Sequence, residues 1–301
     1  MEIDEKQKKI YIKILCETMK AFIAFCKENN LRYYADGGTC LGAVRHKGLI
    51  PWDDDIDVLM PREDYNRFLS LKTQLVNSKY EILDPSVKGY YLPFAKFSDK
   101  TTTIYEYKNL PFIIGVFVDV FPLDEVEDDD ISKVLSDKRV SLWGNYRKSL
   151  LFQYKFSDTY TKYYRIKPRT LYYYLRNLLV GDRRRQKFYE RYLANEKEIQ
   201  KQKGDRYIYY GGSYGYEKSN FLKEWFADGI NVPFEDFSIC LPLQYDLYLK
   251  RVFGDYMTPP PVEKRVSHHY HYFIDLTKRW NVEDVLKLDL GEQKIVEYVY
   301  E

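Results

Sequence analysis

Residues Pro51 to Pro61 read Pro-Trp-Asp-Asp-Asp-Ile-Asp-Val-Leu-Met-Pro, four carboxylates in five residues followed at once by an apolar run. A block of like charges ordinarily marks a solvated loop, and a loop suffices for Asp53 and Asp54. Asp57 is different, because it lies between Ile56 and Val58 in a short apolar stretch with the length of a buried strand. Strand side chains alternate between faces, so Asp55 and Asp57 are predicted to share one side, about 7 Å apart at Cα. Ile56 and Val58 then enter a core. Two carboxylates in a wall of low dielectric repel each other and favour a shared divalent cation. Oxygen-only ligation suits Mg2+ or Mn2+.

Three kinds of site have such acids. A calcium loop of the EF-hand type needs Gly at its sixth position for the sharp turn, but Val58 stands there, and Asp64 rather than Glu stands at the twelfth. An Asp-x-Asp glycosyltransferase binding a nucleotide-sugar through a metal remains open. The third kind needs a glycine-rich turn between a strand and a helix upstream. Leu31 to Arg45 supplies it, with aromatic residues leading into Gly37-Gly38-Thr39 and then a helix-compatible run. Glycines allow close backbone approach to a phosphate, and NH groups opening a helix favour an anion.

The run Gly37 to Val58, Gly-Gly-Thr-Cys-Leu-Gly-Ala-Val-Arg-His-Lys-Gly-Leu-Ile-Pro-Trp-Asp-Asp-Asp-Ile-Asp-Val, closely resembles the signature of the LicD family. That family has the nucleotidyltransferase fold and includes bacterial phosphocholine transferases and fukutin-type ribitol-phosphate transferases. Asp119-Val-Phe-Pro-Leu-Asp124 is similar to a second motif of the family, and Gly254 to His269 to a late one.

The rest of the chain is read from its residues. Glu5 to Asn29 has the period of an amphipathic helix through Ile10, Ile14, Ala21, Phe22 and Phe25. Pro61 suits the first turn of a helix reaching Gln74 or Val76. Strands are expected at 80–83, 92–98, 101–107 and 113–121, and Asp124, past Pro122, in a loop or helix cap. A lone Asp119 in the most apolar run needs a partner, by backbone capping or an arginine, unless it serves a site. Lys96 is either an edge-strand guard against aggregation or a phosphate ligand. Tyr245 to Phe253 is a helix closed by Gly254. Four cysteines without ligand spacing suggest reduced thiols in a cytoplasmic protein. His268, His269 and His271 cluster, but lack a fourth zinc ligand nearby.

Charge divides the chain. Residues 131–204 carry 19 Lys plus Arg against 6 Asp plus Glu, a net +13, which leaves −11 elsewhere in a chain of net +2. Ten of the 31 tyrosines fall in this block, and helices are expected at 170–180 and 186–200. An anionic membrane surface suits it better than nucleic acid, and a solvated helical insertion is the plain alternative. No apolar run is long enough to span a bilayer.

The expected architecture is α/β: a nucleotidyltransferase-like mixed sheet with flanking helices in residues 1–130, the basic insertion in 131–204, and a C-terminal part, 205–301, completing the site. The resemblance implies transfer of a phosphoalcohol group, phosphocholine from CDP-choline before ribitol or glycerol phosphate, to a hydroxyl of a glycan or polyol-phosphate acceptor. A lipid-linked precursor at the inner face of a bacterial membrane is the expected setting. It also implies that Asp55, Asp57 and Asp119 hold magnesium (or manganese), and that Asp119 helps deprotonate the acceptor. Gly38 and Thr39 would cradle a phosphate; Arg45, Lys96 and Arg265 would neutralise charge; His46, His268 and His269 would contact donor or acceptor. Trp52 and tyrosines could cage a quaternary ammonium.

Overall fold

The computed structural model describes residues 4–107, 110, 112–127, 130–150, 168–210, 215–265, 271–288 and 290. A capping box opens helix α1 (Glu5–Glu28): Gln7 N–H donates to Asp4 Oδ1 at 2.7 Å, and Asp4 N–H to the Gln7 side chain at 3.2 Å. The buried stripe of α1 runs through Tyr11, Leu15, Met19, Phe22, Phe25 and Cys26. Phe22 and Phe25 are buried as expected, whereas Ile10 is exposed and Ile14 and Ala21 only partly buried, their places toward the N-terminus taken by Tyr11, Leu15 and Met19. Phe22 anchors this face, because its ring meets Tyr33, Phe68 and Phe97 edge-on.

In chain order the strands are β1 (Tyr34–Ala35), β2 (Asp57–Pro61), β3 (Tyr80–Leu83), β4 (Ala95–Tyr105), β5 (Ile114–Val126), β6 (Arg206–Ile208), β7 (Asn220–Leu222), β8 (Ile230–Phe234), β9 (Phe237–Leu241) and β10 (Phe273–Asp275). The sheet is mixed and flanked by helices, so the α/β class is as expected. Its spine is β1-β2-β5-β4-β10, with β3 also on β4 and with β6 and β7 extending from β5. Among the described residues the β2–β5 pair is parallel and the other pairs of the sheet are antiparallel. The hairpin β8–β9 stands apart from the sheet.

Two expected strands, 92–98 and 101–107, are one bent strand, β4. Its pairing with β5 shifts between Asp99 and Ile104. Hydroxyls repair the gap: Gly115 N–H donates to Ser98 Oγ and Val116 N–H to Thr102 Oγ1, which itself donates to the Asp99 carbonyl. A Cβ on Gly115 would collide with that carbonyl, so the bend requires glycine there.

The helices after α1 are α2 (Gly37–Arg45), α3 (Arg62–Ser70), α4 (Asp130–Leu150), α5 (Pro168–Gln200), α6 (Tyr245–Phe253) and α7 (Val282–Lys287). Helix α3 stops earlier than expected and tightens into a 3-10 turn at Leu71–Leu75. The two helices expected at 170–180 and 186–200 are one, since the glycine between them, Gly181, costs only about 1 kcal/mol inside a helix.

Asp124 is not in a loop but in β5, almost fully buried. Arg62 Nε and Nη2 grip its two oxygens at 2.6 and 2.7 Å, and Nη2 also reaches Glu196 on α5 at 3.4 Å. Glu196 pairs with Arg139 of α4 at 2.5 Å, and Arg139 Nη2 donates to the Pro93 carbonyl at 3.3 Å. This buried chain of charges ties the α4–α5 pair to the sheet. Removing one member leaves another charge buried and uncompensated. Asp124→Ala should therefore cost about 3 kcal/mol or more of unfolding free energy in urea titration, whereas a loss within the error of the midpoint would show that the network is dispensable.

Candidate active site

The start of β2 is bolted to the start of α2. Asp36 caps α2, its Oδ1 accepting from Gly37 N–H at 2.8 Å and from the Tyr248 hydroxyl of α6. Asp36 N–H donates to the Asp57 carbonyl at 2.9 Å, and Asp57 N–H donates to Thr39 Oγ1 at 2.9 Å. Thr39 is buried, so its side chain orients Asp57 from behind. Across the parallel ladder Asp57 stands opposite Asp119, and on the far side of β5 Lys96 stands opposite Asp119. Three charged side chains thus share one level of three adjacent strands.

Lys96 is a correction in one respect. Strand β4 has neighbours on both sides, so Lys96 guards no edge. Its Nζ is buried, 2.6 Å from Asp119 Oδ1 and 3.2 Å from the centre of the Phe117 ring. It acts as the counterion of Asp119, a partner from a strand where an arginine or a backbone cap was the expectation.

Asp57 has no such relief. Burial, then the charges of Asp55, Asp119, Asp36 and Asp53, push its carboxyl well above the usual carboxylate range. Its Oδ1 is buried with no hydrogen-bond partner. An orphaned anionic oxygen among further carboxylates fits a hard divalent cation. Asp55 precedes β2 instead of lying on it, since the strand begins at Asp57. There Asp53, Asp54 and Asp55 bring carboxylate oxygens within 4.8 Å of one another, all half-buried. Asp53, expected in a solvated loop, packs on the first turn of α2. Its Oδ2 lies 2.5 Å from where a Cβ on Gly38 would sit, so the absence of a side chain at Gly38 admits the acid there.

A cationic and aromatic cluster adjoins these acids. Arg45 Nη1 donates to the Tyr256 carbonyl at 2.7 Å, and its Nε to His46 Nδ1 at 3.4 Å. The His46 ring meets Trp52 edge-on at 6.0 Å, and the Arg265 guanidinium lies 5.2 Å over Trp52. Burial and the Arg265 charge lower Arg45, and burial and Arg45 lower His46. The structure thus gathers Arg45, His46, Trp52 and Arg265, while His268 and His269 lie outside the described residues. Trp52 already carries a cation on its face, which disfavours it as a cage for a second.

Four tyrosines escaped sequence reasoning. Tyr11 of α1 is raised by burial and by Asp54, Asp55, Glu106 and Asp119. Tyr90 is raised by burial and by Asp119, Tyr65 and Glu106; Tyr209, by burial and by Asp36, Asp57 and Asp119. Tyr248 holds Asp36. Nothing in their spacing marks them, because each comes from a different element. Asp36, held by burial at a pKa of about 6 despite the Tyr248 and Gly37 hydrogen bonds, carried one legible signal, its position before Gly37-Gly38-Thr39.

The family model described as LicD/FKTN/FKRP, nucleotidyltransferase domain, matches residues 30–156. The lipopolysaccharide cholinephosphotransferase LicD of Haemophilus influenzae is 30% identical over 255 residues, covering 82% of this chain and 90% of that protein. The human ribitol 5-phosphate transferase FKRP is 38% identical over 53 residues, 18% of this chain and 11% of that protein.

The raised Asp57 carboxyl has a consequence for stability. An unfolded Asp titrates near 3.9, and the folded one titrates higher. Between those values the folded state holds a proton the unfolded state lacks, so stability is full at acid pH and falls as pH rises through the folded value. Asp57→Asn should remove this loss. In thermal melts with EDTA the variant should melt above the parent at pH 8 and approach it at acid pH; a lower midpoint at pH 8 would contradict the repulsive cluster.

Proposed function

The chain belongs to the LicD family, and on that premise we propose that it transfers a phosphoalcohol group, phosphocholine from CDP-choline, to a hydroxyl of a cell-surface glycan. The observation that supports the donor is the 30% identity, spread over 90% of the length of a protein named lipopolysaccharide cholinephosphotransferase. A lipopolysaccharide or teichoic-acid precursor is the acceptor class proposed. Ribitol phosphate is the second reading, favoured only by the short match to human FKRP.

Asp55, Asp57 and Asp119 would hold Mg2+ or Mn2+, with the orphaned Oδ1 of Asp57 as one ligand atom. Bound there, the ion supplies positive charge to the donor pyrophosphate and the departing CMP. The acceptor hydroxyl forms a new P–O bond as the anhydride P–O bond to CMP breaks. Asp119, oriented by Lys96 through Oδ1, takes the hydroxyl proton. Arg45 and Arg265 would meet phosphate charge beside the acids. Thr39 holds the backbone of Asp57 in register.

Release of CMP from CDP-choline, CDP-ribitol, CDP-glycerol and release of nucleoside diphosphate from nucleotide-sugars, each with a glycan acceptor, tests the donor. CDP-choline should be turned over fastest, with activity lost in EDTA and restored by Mg2+. Asp57→Asn and Asp119→Asn should each lower turnover by at least about 10²-fold while circular dichroism stays native. Preferred turnover of a nucleotide-sugar, or near-normal CMP release from Asp57→Asn at saturating Mg2+, would overturn the assignment.

A further inference from the structure

Helices α4 and α5 run antiparallel, as the ring pairs Trp143–Tyr192 and Tyr146–Tyr189 show. Continuing that register sets the end of α4, Leu150, near Arg185. Residues 168–184 of α5 therefore reach about 25 Å beyond it at 1.5 Å per residue. On this projecting part Tyr172, Leu175, Leu178, Leu179 and Val180 are all exposed, Leu179 by 84%. Five large apolar side chains in nine residues form a patch that soluble helices avoid.

Their order is regular. At 100° per residue, Tyr172, Leu175 and Leu179 fall within about 60° of one another. They lie opposite the buried side of α5, which carries Gly181, Tyr192 and Ile199. Arg176 and Arg183 border the same stripe, and Lys187 continues it. Residues 172–187 hold Arg176, Arg183, Arg184, Arg185 and Lys187 against the single acid Asp182. An apolar row flanked by arginines matches a helix lying in the bilayer interface, with leucines in the acyl boundary and guanidinium groups among headgroups. No helix among the described residues is long and apolar enough to cross a membrane.

We infer that the N-terminal half of α5 is a docking surface for an anionic lipid bilayer. Charge selects this occupant: a second copy of the chain would bring the same arginines face to face, whereas anionic headgroups neutralise them. Each basic side chain near such a surface multiplies partitioning about fivefold. The surface lies on a different element from the carboxylates and does not depend on the proposed chemistry.

The full chain should sediment with vesicles of mixed phosphatidylglycerol and phosphatidylcholine, and not with phosphatidylcholine alone. High salt should weaken the binding as screening shortens. Leu175→Glu with Leu179→Glu should reduce binding by at least about tenfold, and Arg183→Glu by at least about fivefold. Thermal melts of the variants confirm that each is folded, and no catalytic readout is involved. Equal binding to both vesicle types, no binding to either, or undiminished binding by the folded leucine variant would overturn the inference. So would a dimer of the parent chain, seen by light scattering, that the leucine variant breaks without any vesicle binding.

Discussion

The parallel pairing of β2 with β5 sets Asp57 beside Asp119, and much of the molecule exists to make that pairing tolerable. Two buried carboxylates at adjacent strand positions would separate the strands unless something offset their charge. Lys96 does so for Asp119 from the next strand, with the Phe117 ring beneath its ammonium. For Asp57 no side chain among the described residues does, and its orphaned oxygen is the point at which their charges fall short. The backbone compensates by rigidity. Thr39 and Asp36 secure both sides of the Asp57 peptide, and Asp119 N–H donates to the Ile56 carbonyl at 2.9 Å. A frame so tightly hydrogen-bonded keeps mutually repelling acids from turning away from one another.

What could be read without coordinates was local. The extent of α1 follows from its amphipathic period up to Asn29, and β2 from the apolar run after the acids. The acids and the glycine turn were legible because their spacing within some twenty residues is itself the signal. What failed was decided by partners far along the chain. Asp124 looked like a loop residue after Pro122, yet Arg62, sixty-two residues earlier, holds it in a strand. Lys96 looked like an edge or ligand residue because Asp119 lies on a neighbouring strand. The face of α1 was right at Phe22 and Phe25 but off by one position at Ile10 and Ile14, where the adjacent Tyr11 and Leu15 are the buried residues. The division at residues 131 and 204 followed composition. The α4–α5 pair it encloses is nonetheless tied to the sheet by the Arg62–Asp124–Glu196–Arg139 chain.

That chain of charges also links two surfaces of the protein. Asp124 sits five residues after Asp119 on one strand, and Arg139 reaches the Pro93 carbonyl two residues before the start of β4. Phe94 and Phe121 pack together between them, with ring centres 4.4 Å apart. A tilt of α5 would thus press directly on the strands that carry Lys96 and Asp119. Well-packed aromatic contacts transmit such strain because they have little free volume in which to absorb it.

Three contacts close over the region from Asp36 to Trp52, and all come from late in the chain: Tyr248 on Asp36, the Tyr256 carbonyl on Arg45, and Arg265 on Trp52. A polypeptide emerges from the ribosome from its N-terminus, and its domains fold as their partners appear. The acids and the glycine turn are made early but lack these three restraints until residues 248–265, some two hundred positions later, have been synthesised. During translation, then, the carboxylate cluster waits as an open half-site until those late residues emerge to close over it.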